Sequence, residues 1–87
     1  MRTFLGSSYL RSLRKQVKKN PQGYKKIKDK ITLFQLVPSH PSLKLHKLKG
    51  EKQEVWSIYI EEDLRILFVY VEEGVLFINI GKHDEVY

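Results

Sequence analysis

Leu64-Arg65-Ile66-Leu67-Phe68-Val69-Tyr70-Val71-Glu72-Glu73-Gly74-Val75-Leu76-Phe77-Ile78-Asn79-Ile80 is the stretch that decides the fold. Leu64 to Val71 is nearly all apolar or β-branched and reads as a central strand. Glu72-Glu73-Gly74 is a short turn, and Val75 to Ile80 is a second strand antiparallel to the first. Upstream, across an acidic turn at Glu61-Glu62-Asp63, Val55-Trp56-Ser57-Ile58-Tyr59-Ile60 reads as another strand. Before it, Leu43 and Leu45 alternate with lysines up to Gly50, which predicts one more. Downstream, Gly81 releases the chain into a tail, Lys82-His83-Asp84-Glu85-Val86-Tyr87.

The first half has a different period. After a short candidate strand, Arg2 to Leu5, Ser7 and Ser8 are positioned to cap a helix. Tyr9, Leu10, Leu13 and Val17 keep roughly helical spacing, with Arg11, Arg14, Lys15, Lys18 and Lys19 between them. Asn20-Pro21 ends that helix and starts the next, because Asn suits an N-cap and Pro the first helical position. Tyr24, Ile27, Ile31 and Phe34 then share a face, with lysines largely off it. Pro38-Ser39-His40-Pro41-Ser42 breaks the pattern. The expected architecture is α+β: a short N-terminal strand, a two-helix hairpin and a four-stranded antiparallel meander, with the helices packed on one face of the sheet.

The 87 residues are enough for one domain, expected to span 1–87. There is no cysteine, which excludes a disulfide framework, a thiolate nucleophile and any Cys-containing zinc site. No apolar run approaches the roughly 20 residues that span a bilayer, and Met1 to Gly6 has no signal-peptide apolar region. A cytoplasmic protein is expected. Charge is divided along the chain: residues 1–52 carry a formal +12 and residues 53–87 a formal −6. A half this basic favours a polyanion such as RNA or DNA, or an acidic protein.

Three motifs carry chemistry: His46-Lys47-Leu48-Lys49-Gly50, Asp63-Leu64-Arg65, and the tail with His83 and Tyr87. They supply two imidazoles, a carboxylate, a guanidinium and a phenol, groups that move protons and hold phosphate near neutral pH. His46, among Lys44, Lys47 and Lys49, is either a proton carrier beside a cationic groove or a polar residue of an edge strand. Arg65 interrupts an apolar strand, so it needs a carboxylate partner, Asp63 or Glu54, or a phosphate. Trp56 and Tyr59 have opposite parity. Trp56 is the better core residue, and Tyr59 the better platform for a base. His83 and Tyr87 share a face if the tail forms one helical turn. A metal site from His46, Asp63 and His83 lacks any local ligand spacing, so neither metal nor cofactor is expected.

With these residues in this order, the chain resembles the RelE/ParE-superfamily toxins of type II toxin–antitoxin systems, and among them the RelE/YafQ-type mRNA interferases. The resemblance runs from the basic helical hairpin through Pro41-Ser42-Leu43, His46 to Gly50, Trp56-Ser57 and Asp63-Leu64-Arg65-Ile66 to the tail. It implies a compact domain with a curved antiparallel sheet, cleavage of mRNA in the ribosomal A site, and neutralisation by a cognate antitoxin. It also implies a proposed active site that includes His46, Asp63, His83 and Tyr87. Arg65 matches an arginine of the wider RelE family. Two positions depart: Tyr59 stands where YafQ-type enzymes carry a histidine, and Asn79 where they carry an arginine. The resemblance leaves open a ParE-like gyrase inhibitor or a catalytically weak binding module of the same fold.

Overall fold

The structure is a computed structural model that describes residues 1–50 and 53–86. β1 (Arg2–Leu5) leads into α1 (Ser7–Lys19) and α2 (Tyr24–Leu36). Then come β2 (His46–Lys47), β3 (Trp56–Glu61), β4 (Leu64–Val71), β5 (Gly74–Lys82) and a one-turn helix, α3 (His83–Val86). The sheet order is β1-β5-β4-β3-β2. The meander from β2 to β5 is antiparallel throughout, as expected. β1, whose partner the sequence left undefined, pairs with β5 in parallel, Arg2 opposite Gly74 and Leu5 opposite Phe77.

The helices lie on the face that carries Ile58, Ile66 and Phe68, where Tyr9, Ile27 and Phe34 close the core. Phe34, Phe68 and Phe77 form its centre, with ring centroids 5.0–6.4 Å apart in tilted contacts. Tyr9 meets Phe77 edge-on at 5.2 Å. Such pairs add to the burial energy of the rings themselves. Burial, and secondarily the nearby Tyr24 phenol, raises the Tyr9 hydroxyl from its ordinary pKa of 10.0 to about 12.

Three local expectations change. The N-cap of α1 is Gly6, not Ser7 or Ser8, and no side chain caps it. The chain leaves β1 at Gly6, whose N–H donates to the Phe77 carbonyl at 2.9 Å, so the helix begins one residue earlier. A Cβ there would stand 2.8 Å from that carbonyl oxygen. After Asn20, Pro21–Gly23 forms a 3₁₀ turn before α2 starts at Tyr24. The third change is the expected strand from Leu43 to Gly50, which shrinks to His46–Lys47. Pro41–Leu43 forms a 3₁₀ turn that buries Leu43 completely, and Lys44 follows in the left-handed conformation at φ 46°. An extended run cannot pass through that residue.

A β-bulge places the site. Opposite Leu67 and Phe68 stand Asn79 and Phe77, so Ile78 is the extra residue. Val75 and Phe77 face the core. Strict alternation would send Asn79 and Gly81 there too, but the bulge resets the parity and gives that role to Ile80, 3% exposed.

Candidate functional site

Cross-strand neighbours project to the same side of a sheet. On the side away from the core, one row joins Tyr59, Arg65 and Gly81, and the adjacent row joins His46, Ser57 and Leu67. The β3–β4 hairpin closes through Glu62 and Asp63, at φ 43° and 77°. Two consecutive positive φ values match a two-residue type I′ turn, made here without glycine. That backbone is strained, and three contacts hold it. The Glu62 N–H donates to the Tyr59 hydroxyl at 2.9 Å, Lys82 Nζ donates to the Glu62 carbonyl at 3.3 Å, and Asp63 faces Arg65.

Tyr59 is the centre of this arrangement. The Lys44 ammonium lies 4.5 Å from its ring centroid and the Arg65 guanidinium 4.8 Å. The ring's negative π-face attracts both. Of the two carboxylates expected for Arg65, Asp63 is present but distant: Nη2 to Oδ1 is 3.9 Å, too long for a hydrogen bond. Glu54 is instead taken by Lys47 at 3.0 Å. The Arg65 side chain is 19% exposed, and its Nε and Nη1 are buried with no hydrogen-bond partner. A guanidinium in that state costs folding energy, and Nη2, which lies toward Asp63, is the one terminal nitrogen not among the buried unpartnered atoms.

His46 is exposed on the edge strand. Its Nδ1 is 2.9 Å from the Lys44 carbonyl oxygen, which can only accept, so Nδ1 carries the proton. In the neutral ring Nε2 is then a free base. Asp63 and His83 flank the paired residues Leu64 and Lys82, which brings both to the Arg65 end of the sheet. His83 is exposed at the start of α3 and makes an interaction of its own.

The sequence-derived residues thus fall into groups. Lys44, Tyr59, Asp63 and Arg65 make contacts with one another, and His46 and His83 border them. Lys47 pairs across to Trp56, on the other side of the sheet from His46. Lys49 is exposed beyond the end of β2. The tail does form one turn, but Tyr87 lies outside the described residues. Trp56 packs against the core as expected, with its indole Nε1 buried and unpartnered. Sequence reasoning missed Lys82 as a support of the strained turn. It also missed Ser12, whose hydroxyl donates to Asn79 Oδ1 at 2.7 Å and draws that residue toward α1. Among the described residues, no group of three or more His, Asp or Glu side chains is placed to hold a metal ion.

No family model matches the chain, and no curated protein matches it by sequence. Solved structures do match in fold. The Escherichia coli DinJ–YafQ toxin–antitoxin complex superposes with a TM-score of 0.80 at 19% identity, covering 99% of this chain and 96% of that one. A metal-bound toxin from Helicobacter pylori gives 0.82 at 18% identity, covering 100% and 99%. A YoeB/ParE toxin from Agrobacterium tumefaciens gives 0.74 at 21% identity, covering 95% and 99%. Identities this low carry architecture rather than activity. This chain has the fold of the YafQ and YoeB/ParE toxins.

Proposed function

We propose that the protein is the toxin of a type II toxin–antitoxin pair and acts in the cytoplasm as a ribosome-dependent mRNA endoribonuclease, held inactive by a cognate antitoxin. The observation that carries this reading is Arg65, a mostly buried guanidinium with two unpartnered nitrogens beside Asp63, Tyr59 and Lys44. Folding leaves the guanidinium short of an acceptor, and a phosphodiester supplies one at Nη2, reaching the buried nitrogens only if the side chain shifts.

In this reading the 2′-hydroxyl of an mRNA nucleotide attacks the adjacent phosphorus and the bond to the 5′-oxygen breaks. The products are a 2′,3′-cyclic phosphate and a 5′-hydroxyl end. His46, with Nε2 free, takes the 2′-proton, and Asp63 is the other candidate base. His83 returns a proton to the leaving 5′-oxygen. Arg65 and Lys44 stabilise the charge of the phosphorane. Tyr59 holds both cations in place, and Tyr87 is the residue to orient a base. Acid–base groups in such roles typically contribute about 10²–10⁴-fold each. Lys47, Lys49 and the basic helices add contacts to ribosomal RNA, which makes binding salt-dependent.

The test is to induce the protein without antitoxin and map mRNA ends by primer extension. Codon-phased cuts that require translation are expected, and they should disappear in His83→Ala. Full cleavage by His83→Ala removes the acid assignment. Growth arrest with intact mRNA and damaged DNA replaces the whole reading with a gyrase inhibitor.

A further inference from the structure

β1 pairs only with Gly74 to Phe77, and α1 then runs beside the rest of β5, with Ser12 reaching Asn79. Between them lies a cleft of about 150 Å³, walled by α1, the end of β5 and Val86 of α3. Its polar groups are unusually specified. Asn79 Oδ1 accepts from both the Ser12 hydroxyl, at 2.7 Å, and the Ile80 N–H, at 2.9 Å. A backbone N–H can only donate, so the atom it meets is the amide oxygen and the orientation of the Asn79 side chain is settled. Its Nδ2 therefore keeps two hydrogens with no partner among the described residues.

Gln16 lines the same cleft at 8% exposure, and its side-chain amide makes no hydrogen bond among the described residues. Lys15 lines it too, with no counter-ion among them. Lys19 also lines it and has an interaction of its own. Gln16 is nearly buried and Asn79 half-buried; their amides and the Lys15 ammonium line one cleft, and its unused hydrogen-bonding capacity is mostly donor.

We propose that this cleft seats a phosphate group of an RNA strand, at a second position beyond the one held by Arg65. The choice of RNA as the polyanion rests on the proposed function. Two features favour a polyanion over a single carboxylate. α1 carries Arg11, Arg14 and Lys18 outside the cleft as further positive charge and has no acidic residue. Val86 and His83 are the two ends of α3, so the cleft and the proposed general acid share one helical turn. A strand engaged at Arg65 and passing along α1 reaches both.

The probe is a fluorescent single-stranded RNA with 2′-O-methyl groups throughout, which cannot be cleaved, so binding by the full chain is read without activity. Asn79→Asp keeps the oxygen that Ser12 and Ile80 use and replaces the free donor with a negative oxygen. It is expected to weaken binding about tenfold or more. Lys15→Ala, an exposed change that does not threaten folding, is expected to lower the slope of log affinity against log salt by about 0.7. Unchanged affinity and slope in both variants overturn the proposal. So does weakened binding of a poly-glutamate peptide with RNA binding intact, which assigns the cleft to a protein carboxylate. A wild-type chain that binds this RNA but cleaves no mRNA refutes the proposed function and leaves the cleft standing.

Discussion

Replacing Arg65 with methionine separates what the guanidinium does for folding from what it does for a ligand. Methionine has a similar length and an apolar, adaptable side chain, and it removes the buried Nε and Nη1 that have no partner. Each buried donor left unpaired costs about 1–3 kcal/mol, so the pair together costs about 2–6 kcal/mol. Against that, the substitution loses the contact with the Tyr59 ring at 4.8 Å, worth about 1–2 kcal/mol. It also loses the 3.9 Å pairing with Asp63, whose side chain is 54% exposed, a solvent-screened interaction worth under about 1 kcal/mol. The net expectation is a gain of about 1–3 kcal/mol in stability, and for a domain of this size about 4–8 °C in Tm per kcal/mol. Cleavage of ribosome-bound mRNA should fall by about 10²–10³-fold, as when a preorganised charge is taken from a transition state. Thermal unfolding and a single-turnover cleavage assay on the same preparation measure both sides. Arg65→Lys, which keeps the charge but not the fork, should recover only part of the rate. A Tm several degrees lower in Arg65→Met would show that the guanidinium holds the fold together, and the case for a phosphate site at Arg65 would fail.

Three further outcomes follow from particular contacts. Tyr59→Phe removes the acceptor of the Glu62 N–H while leaving the ring beneath Lys44 and Arg65, so it should cost about 0.5–1.5 kcal/mol in chemical denaturation. Tyr59→Leu should lose far more cleavage than Tyr59→Phe, because it releases both cations. Gly74→Ala places a Cβ against the backbone carbonyl of Arg2, so β1 must shift from β5 at a cost of about 1–3 kcal/mol. Faster amide exchange at Thr3 and Phe4 would report it. Tyr9, with its hydroxyl raised to about 12, keeps its proton in the folded state after the unfolded chain has lost it at pH 10. Stability is then full below pH 10 and falls by up to about 3 kcal/mol as pH rises toward 12. Tyr9→Phe should flatten that alkaline decline in urea titrations.

The sequence by itself determined the elements whose residues agree on one period. Leu64 to Val71 is a strand to the residue, and β1 is Arg2 to Leu5, because short β-branched or apolar runs between turn residues have no competing local structure. The antiparallel order of the last four strands followed from connections too short for crossovers. The polar interruption at Arg65 was legible as well, since a guanidinium in an apolar strand demands a partner.

Only the tertiary structure decided the rest. The strand expected from Leu43 to Gly50 yielded because burying Leu43 in the core outweighed its alternating pattern, and Lys44 took the left-handed turn that carries it over Tyr59. The parallel docking of β1 on β5 is a pairing across most of the chain, and no local pattern encodes it. The bulge at Ile78 turned Asn79 and Gly81 away from the core, although their spacing from Phe77 assigned them to it. Gln16 did leave a signal, a polar residue at helical spacing from Tyr9 and Leu13, but whether it met a partner or a cleft depended on where α1 packed. The physical reason is the same in each case. Local sequence sets which side chains share a face, whereas close packing of the whole core sets which faces meet.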